Sequence, residues 1–128
     1  MESFKEKKEK AYNLGKFAED IIAREYIGKG YTILERQWRL GKTEIDLIAS
    51  KDDTLVIIEV KARNSNETEA LSAVTNDKRK RMVRAADYYI RNLTGEYNYR
   101  FDIATFTGTE KDYKINIFED AFLSTEIF

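Results

Sequence analysis

Two acidic residues in adjacent predicted strands are the side chains of this chain best suited to chemistry. The segments 43–49 and 55–61 are apolar runs that each carry a carboxylate, and residues 52–53 form a short polar break between them. This pattern predicts an antiparallel hairpin in which Asp46 lies directly opposite Glu59. Opposed Cβ atoms on one face of such a hairpin lie roughly 4.5 to 5.5 Å apart, where like charges destabilise the pair.

Three compensations for the paired charges are open: solvent exposure, a raised pKa that leaves one carboxyl protonated, or a divalent cation held between them. Alternation places Ile48 and Ile57 on the face of the two acids, so we expect this face to be partly covered. The opposite face is predicted to carry Ile45, Leu47, Ala49, Val56, Ile58 and Val60. Carboxylate oxygens suit Mg²⁺ or Mn²⁺. Lys61, two residues beyond Glu59, would be close enough to act on a metal-bound water or a phosphate.

An ordinary surface hairpin is the alternative for the same residues. Solvent-facing strands often carry Glu and Lys, and the predicted register sets Glu44 opposite Lys61, where the two could form a cross-strand ion pair. The hairpin pattern on its own leaves the metal site and the ordinary surface pair open.

The composition restricts which chemistry is available. At 128 residues the chain is long enough for one domain, covering residues 1–128. It contains no histidine and no cysteine, which excludes imidazole catalysis, thiolate chemistry and the usual zinc ligands. Any metal chemistry must therefore use carboxylates. The absence of an apolar run of about 18 residues and of a signal-peptide pattern predicts a cytoplasmic protein with no membrane partner.

The formal net charge is only −1, but basic residues are concentrated in one segment. Residues 77–84 (DKRKRMVR) contain five Lys or Arg and one Asp. We predict a helix here, capped by Thr75 or Asn76. Its buried stripe is predicted to be Met82, Ala85, Ala86, Tyr89, Ile90 and Leu93. On the same helical wheel Lys78 and Arg79 lie near the apolar stripe, so both are expected to lean toward the sheet.

The remaining elements follow from hydrophobic periodicity and from turn residues. Residues 1–12 are expected to be an exposed lead-in, with Asn13 capping a first helix that ends at residues 28–30. Further strands are predicted at 31–40, 99–106 and 113–118, a loop at the mouth of the site at 64–73, and a C-terminal strand and tail at 108–128. The predicted order is α-β-β-β-α-β-β, an α/β arrangement.

A series of short motifs extends through about residues 15–107. The motifs are Gly15-Lys16-Phe17-Ala18-Glu19, Gly30-Tyr31, Glu44-Ile45-Asp46-Leu47-Ile48-Ala49, Glu59-Val60-Lys61-Ala62-Arg63, a helix bearing Lys78, and Arg100-Phe101-Asp102-Ile103. In order and spacing they resemble the YraN-like family, small bacterial members of the PD-(D/E)XK superfamily that are similar in layout to archaeal Holliday junction resolvases. Thr43 stands where the family usually has Gly, and Gln37 where Asn is frequent; neither departure removes a carboxylate.

This resemblance implies a restriction-endonuclease-like fold, with a central mixed five-stranded sheet flanked by helices. It matches Asp46 and Glu59 to metal-binding carboxylates and Lys61 to the active-site lysine. Glu19 matches a first-helix glutamate that reaches the same metal site. The implied cofactor is Mg²⁺ or Mn²⁺, and all four residues are expected to be catalytic.

The implied function is a metal-dependent endonuclease that hydrolyses phosphodiester bonds in nucleic acid, with branched or structured DNA as the expected substrate. Lys78, Arg79 and Arg63 would contact phosphates beside the cut. By analogy with junction-cutting nucleases, the layout also suggests a homodimer. The alternative is a non-catalytic nucleic-acid-binding or interaction protein that retains the fold, because fold alone does not determine activity.

Overall fold

The computed structural model describes residues 2–63 and 74–122, and within these ranges the chain forms two helices and five strands. They are α1 (Phe4–Gly28), β1 (Thr32–Leu40), β2 (Thr43–Lys51), β3 (Thr54–Arg63), α2 (Asn76–Arg91), β4 (Asn98–Gly108) and β5 (Tyr113–Phe122). The predicted α/β class and the order α-β-β-β-α-β-β are confirmed. The predicted loop at 64–73 lies outside the described residues.

The five strands form one mixed sheet in the order β1-β2-β3-β4-β5. Strands β3 and β4 are parallel, with α2 in the connection between them, and the other neighbours are antiparallel. The predicted hairpin register is confirmed, because the β2–β3 ladder begins at Lys51–Thr54 and continues to Leu47–Ile58. The turn is tight enough to hold Asp52 at φ 55, a left-handed conformation that Asp tolerates better than most residues.

Helices cover both faces of this sheet, which explains why its central strands are almost continuously apolar. On one face α1 contributes Ile22, Ala23 and Tyr26 to a cluster with Leu47, Ala49, Val56, Ile58 and Ala104 of the sheet. On the other face α2 contributes Met82, Val83, Ala85 and Ala86 to a cluster with Ile45, Ile48, Leu55, Ile57, Val74, Phe101, Ile103 and Phe122. Among the described residues, no helix is both long and apolar enough to cross a membrane.

The first helix begins nine residues earlier than Asn13, so the predicted boundary was wrong. Ser3 is the N-cap, and its hydroxyl accepts a hydrogen bond from the Glu6 N–H at 3.1 Å. The pattern Ser-x-x-Glu at 3–6 is a sequence signature of helix starts, and it outweighs the weak apolar periodicity that follows it. Residues 4–13 are exposed, as expected, but they form the first part of α1.

A buried polar cluster joins α1 to β4 and β5. Asp102 is fully buried and accepts hydrogen bonds from Tyr26 Oη at 2.6 Å and from Arg100 Nε at 3.0 Å. It also accepts the Asp120 N–H at 3.0 Å. Arg100 donates a further hydrogen bond to Tyr31 Oη at 2.8 Å. Arg100 and Asp102 form an ion pair in this cluster, and burial together with the Asp102 carboxylate raises the pKa of Tyr26.

We expect Asp102→Ala to lower the free energy of unfolding by about 4 kcal/mol, because Arg100 would lose its buried counter-charge. Tyr26→Phe removes a single hydrogen bond to a charged acceptor and should lower it by about 2 kcal/mol. Urea denaturation followed by circular dichroism measures both values. Equal losses in the two variants would contradict the assignment of the cluster as an ion pair.

Candidate metal and phosphate site

The site lies where the β2–β3 hairpin stops being a regular ladder. The last recorded pair is Leu47–Ile58, one step short of the position at which Asp46 would face Glu59. There the Val60 N–H donates a hydrogen bond of 2.8 Å to Asp46 Oδ2. A side-chain carboxylate therefore takes the place of a strand carbonyl, and the two strands separate around it.

The strand β2 changes face at the same point. Ile45 packs with Ile48 in the cluster beside α2, whereas Leu47 packs beside α1. The prediction that Ile45 shares a face with Leu47 was therefore wrong. The regular alternation is interrupted beside Gln37 of β1, which has φ 49 and whose pair with Asp46 is missing between the pairs Arg36–Leu47 and Trp38–Ile45. At this point Asp46 lines a cavity together with Gly15, Lys16 and Glu19 of α1.

Glu59 is the most deeply buried acid of the site, with only 3% of its surface exposed. Its Oε1 lies 3.5 Å from Lys61 Nζ, and its Oε2 lies 3.6 Å from Lys78 Nζ. Oε2 is buried and makes no hydrogen bond in the described part of the chain. Lys78 Nζ also approaches the Glu44 carbonyl oxygen, at 3.4 Å. Two lysines from different elements therefore converge on one carboxylate.

Burial is the main electrostatic influence on both acids. Burial, followed by the Asp46 carboxylate, raises the pKa of Glu59 to about 7, although Lys78 and Lys61 act in the opposite direction. Burial also raises the pKa of Asp46, opposed by the Val60 N–H and by the two lysines. Full solvent exposure is thus excluded as the compensation for Glu59. Lysine pairing is a compensation that the sequence interpretation did not consider.

Glu19 reaches the same region from α1 but stands apart from Glu59. It is buried, and burial followed by the Asp46 carboxylate raises its pKa. Gln37 Nε2 donates to Glu19 Oε2 at the long distance of 3.5 Å. Glu19, Gln37 and Asp46 line a cavity of about 450 Å³ beside α1. Within residues 2–63 and 74–122 no three acidic side chains are grouped closely enough to hold a metal alone, so a metal role for Glu19 stays a prediction.

The residues present fit a divalent cation in their donor chemistry. Asp46 is half-buried, Glu59 is buried, the Asp46 carboxylate raises the pKa of Glu59, and Glu59 Oε2 is a buried oxygen without a hydrogen bond among the described residues. Together with the backbone carbonyl of Val60, which follows Glu59 in the chain, they form an all-oxygen set suited to Mg²⁺ or Mn²⁺. Asp46, Glu59 and the Val60 carbonyl are the groups that would hold such an ion.

The three basic residues predicted to contact phosphates are placed differently from one another. Lys78 points inward to Glu59, as the helical wheel indicated. Arg79 lies with Cζ 5.2 Å from the Phe122 ring centre and with a buried Nε, so much of its guanidinium covers the core. Arg63 stays at the surface of β3, and its Nη1 donates to the Ala62 carbonyl at 2.7 Å.

Glu44 does not use the cross-strand partner considered from the sequence. Its carboxylate pairs instead with Arg39 of β1, with 2.7 Å between Arg39 Nη2 and Glu44 Oε2. Lys61 is thereby left to Glu59. Because β2 has neighbours on both sides, a hairpin register alone could not decide between the two partners.

The fold, with an acidic pair at the end of its central hairpin, defines the class: an α/β protein of restriction-endonuclease-like layout. The chain belongs to the uncharacterised protein family UPF0102, whose family model matches residues 18–106. The resemblance to YraN-like proteins is thereby confirmed.

Three relatives illustrate the likeness. The UPF0102 protein of Flavobacterium psychrophilum is 40% identical over 111 residues, which cover 86% of this chain and 93% of that protein. The UPF0102 protein of Clostridium perfringens is 38% identical over 120 residues, which cover 88% of this chain and 98% of that protein. The UPF0102 protein of Streptomyces coelicolor is 43% identical over 84 residues, which cover 64% of this chain and 65% of that protein. These names state a family and no activity.

The raised pKa of Glu59 predicts a stability that depends on pH. The folded-state pKa of about 7 exceeds the ordinary value of 4.5, so the folded protein holds the Glu59 proton more tightly than the unfolded chain does. The contribution of Glu59 to stability is therefore fully present below pH 4.5 and is lost as the pH rises through 7. In the absence of metal we expect a loss on the order of 3 kcal/mol between pH 4.5 and pH 8, and a much smaller loss in Glu59→Gln.

Chemical denaturation at a series of pH values measures this difference. The matched control is Glu110→Gln, which makes the same change at an exposed position between β4 and β5 and should keep the wild-type pH dependence. A Glu59→Gln variant with the full wild-type pH dependence would show that another group is responsible.

Proposed function

We propose that this protein is a metal-dependent endonuclease that hydrolyses phosphodiester bonds in nucleic acid, with DNA, including branched or structured DNA, as the substrate class. The observation that carries the proposal is the convergence of Asp46, Glu59, Lys61 and Lys78 at the end of the β2–β3 ladder. Ionisable groups whose pKa values are shifted by burial and by a neighbouring charge are concentrated at functional sites, and a pair of carboxylates is a donor set that can hold a catalytic metal ion.

Each residue has a role that follows from its position. When bound, a divalent cation would polarise the phosphate and lower the pKa of a coordinated water. The Val60 N–H holds the Asp46 carboxylate in one orientation, and burial keeps Glu59 in a fixed rotamer. Lys61, about a quarter exposed, can reach solvent and would orient the attacking water or offset charge that develops on the phosphate. Lys78 balances the charge of Glu59 from α2.

A second candidate is a protein that binds nucleic acid without cleaving it. The lysine pairing of Glu59 supports this candidate, because Lys61 and Lys78 already offset the buried charge without a metal. The two candidates differ in whether the acids are used for chemistry, and a cleavage assay separates them.

We expect purified protein with Mg²⁺ or Mn²⁺ to cleave at least one substrate in a panel of duplex, single-stranded and branched DNA and RNA. Asp46→Asn should reduce the rate by about a hundredfold or more, because it weakens a metal ligand while keeping an oxygen that can accept the Val60 N–H. Lys61→Met should reduce the rate without reducing metal binding. Gel electrophoresis of end-labelled substrates measures the rate.

Matched controls for these variants are Glu110→Gln and Lys111→Met, at exposed positions in the connection between β4 and β5. Both should cleave at the wild-type rate. Undiminished cleavage in Asp46→Asn and Lys61→Met would disprove the site, whereas salt-dependent binding of the panel without any cleavage would favour the second candidate.

Metal binding is tested separately by thermal melting. At pH 8, where Glu59 is mostly ionised, millimolar Mn²⁺ should raise the melting temperature, because a ligand that binds only the folded state stabilises it. The increase should be smaller at pH 5.5, where protons compete with the metal, and absent in Glu59→Gln. An equal increase in Glu59→Gln would place the metal elsewhere in the protein.

A further inference from the structure

The N-terminal half of α1 extends along the end of β3 and leaves a groove between them. The groove is formed by the site cavity of about 450 Å³ and a second cavity of about 800 Å³, which share Ala11, Gly15, Val60 and Ala62 as lining residues. We name this continuous space the α1 trench. Its helical wall before residue 18 lies outside the segment matched by the family model.

The two ends of the α1 trench carry opposite charge. The end toward the sheet is lined by three acids, Glu19, Glu44 and Asp46, and by two basic residues, Lys16 and Arg39, of which Arg39 pairs with Glu44. The outer end is lined by four basic side chains, from Lys7, Lys10, Lys61 and Arg63, and by one acid, Glu2, which pairs with Lys10. Among the described residues, Lys7 has no ion-pair partner.

The basic wall of the trench follows from helical spacing. Lys7, Lys10, Ala11 and Leu14 recur at intervals of three and four residues, so they share one face of α1. Lys5, Lys8 and Glu9 lie on other faces of the same helix and line neither cavity. The face of α1 that lines the trench therefore carries lysines, although the segment as a whole mixes acidic and basic residues.

Gly15 keeps the middle of the trench open. Glycine inside a helix costs about 1 kcal/mol relative to alanine. A Cβ added at Gly15 would find no atom within 4 Å, so packing does not require a glycine here. Its missing side chain leaves bare helix backbone between the acidic and the basic ends.

We propose that the α1 trench binds a single-stranded segment of nucleic acid, with backbone phosphates on Lys7, Lys10 and Arg63. This proposal rests on the proposed function, whose site forms the acidic end of the trench. A strand lying in the trench would extend from the basic end toward the acids and so present a phosphodiester to them. Lys61 lines the basic cavity and also pairs with Glu59, which links the two ends.

A single strand suits this space better than a duplex. Proteins that bind single strands combine a basic groove for the backbone with exposed aromatic side chains on which bases stack. Tyr12 lines the acidic cavity and is 68% exposed, so its ring is available for stacking. A trench with a helix as one wall and the end of β3 as its floor gives access to one strand rather than to the full width of a double helix.

The test measures binding in the presence of EDTA, so that cleavage does not enter. Fluorescence anisotropy of a labelled 12-nucleotide single strand is compared with that of a blunt duplex of the same sequence. The double variant Lys7→Gln, Lys10→Gln should weaken single-strand binding on the order of tenfold at 0.1 M salt and flatten the salt dependence by about 1.4 in log-log slope. The matched control is Lys5→Gln, Lys8→Gln, which removes the same charge from other faces of α1 and should change binding less than twofold.

A second pair of variants blocks the trench without removing charge. Gly15→Leu fills the open position and suits a helix better than glycine, so it should weaken binding severalfold while the protein stays folded. Gly28→Leu is the control, because Gly28 is also open to solvent but lies at the far end of α1. Unchanged binding in Gly15→Leu would overturn the proposal.

A third comparison addresses Tyr12. Tyr12→Ala should weaken single-strand binding about fivefold or more, whereas Tyr12→Phe should keep it, because stacking needs the ring and not the hydroxyl. Equal losses in both Lys double variants, or a duplex bound as tightly as the single strand, would overturn the trench as the binding site.

Failure of this proposal and failure of the proposed function give different results. Cleavage that depends on Asp46 but is unaffected by Lys7→Gln, Lys10→Gln overturns the trench and leaves the nuclease. Single-strand binding that depends on those lysines, in a protein that cleaves nothing with Mg²⁺ or Mn²⁺, supports the trench and overturns the nuclease.

Discussion

The site depends on one exchange in the hydrogen-bonding pattern of the sheet, in which a carboxylate replaces a strand carbonyl. Beyond Leu47–Ile58 the strands β2 and β3 separate, and the Val60 N–H is satisfied by Asp46 Oδ2 instead. A buried N–H without a partner would cost on the order of 1 to 3 kcal/mol, so this contact stabilises the separation. The same contact fixes the Asp46 carboxylate beside Glu59, which means that the opening of the ladder and the pairing of the acids have a single cause.

The charge of this pair is balanced from elements that are distant in the chain. Lys61 comes from β3 itself, whereas Lys78 comes from the first turn of α2, which packs on the opposite face from α1. An unpaired buried carboxylate would destabilise the fold strongly, so docking of α2 and burial of Glu59 support each other. The distances of 3.5 and 3.6 Å exceed normal hydrogen-bond lengths, and one Glu59 oxygen keeps its lone pairs. The two lysines therefore offset the charge of Glu59 but leave one of its carboxylate oxygens without a hydrogen bond.

The sequence was sufficient for the features that follow from local patterns. Strand alternation and the turn at 52–53 were enough to predict the hairpin register, and the helical wheel correctly predicted that Lys78 points toward the sheet. The face change at Ile45 could not be predicted, because it lies where the β1–β2 ladder skips the pair of Gln37 with Asp46, and glutamine does not indicate the left-handed φ found at that position. The start of α1 had a readable signal, Ser3-x-x-Glu6, which was missed because the residues after it show no apolar face.

A net charge of −1 conceals a separation of charge along the α1 trench. Glu19 and Asp46 line one end, so an approaching phosphate would be attracted by the outer lysines and repelled by the acids. Lys61 and Lys78 reduce this repulsion, and a divalent cation between Asp46 and Glu59 would reverse it, because a bound ion is the largest local charge of such a site. On this electrostatic ground, a metal would do more than activate water: it would set how far a bound strand enters the trench. Metal binding and substrate position are then coupled, and each should strengthen the other.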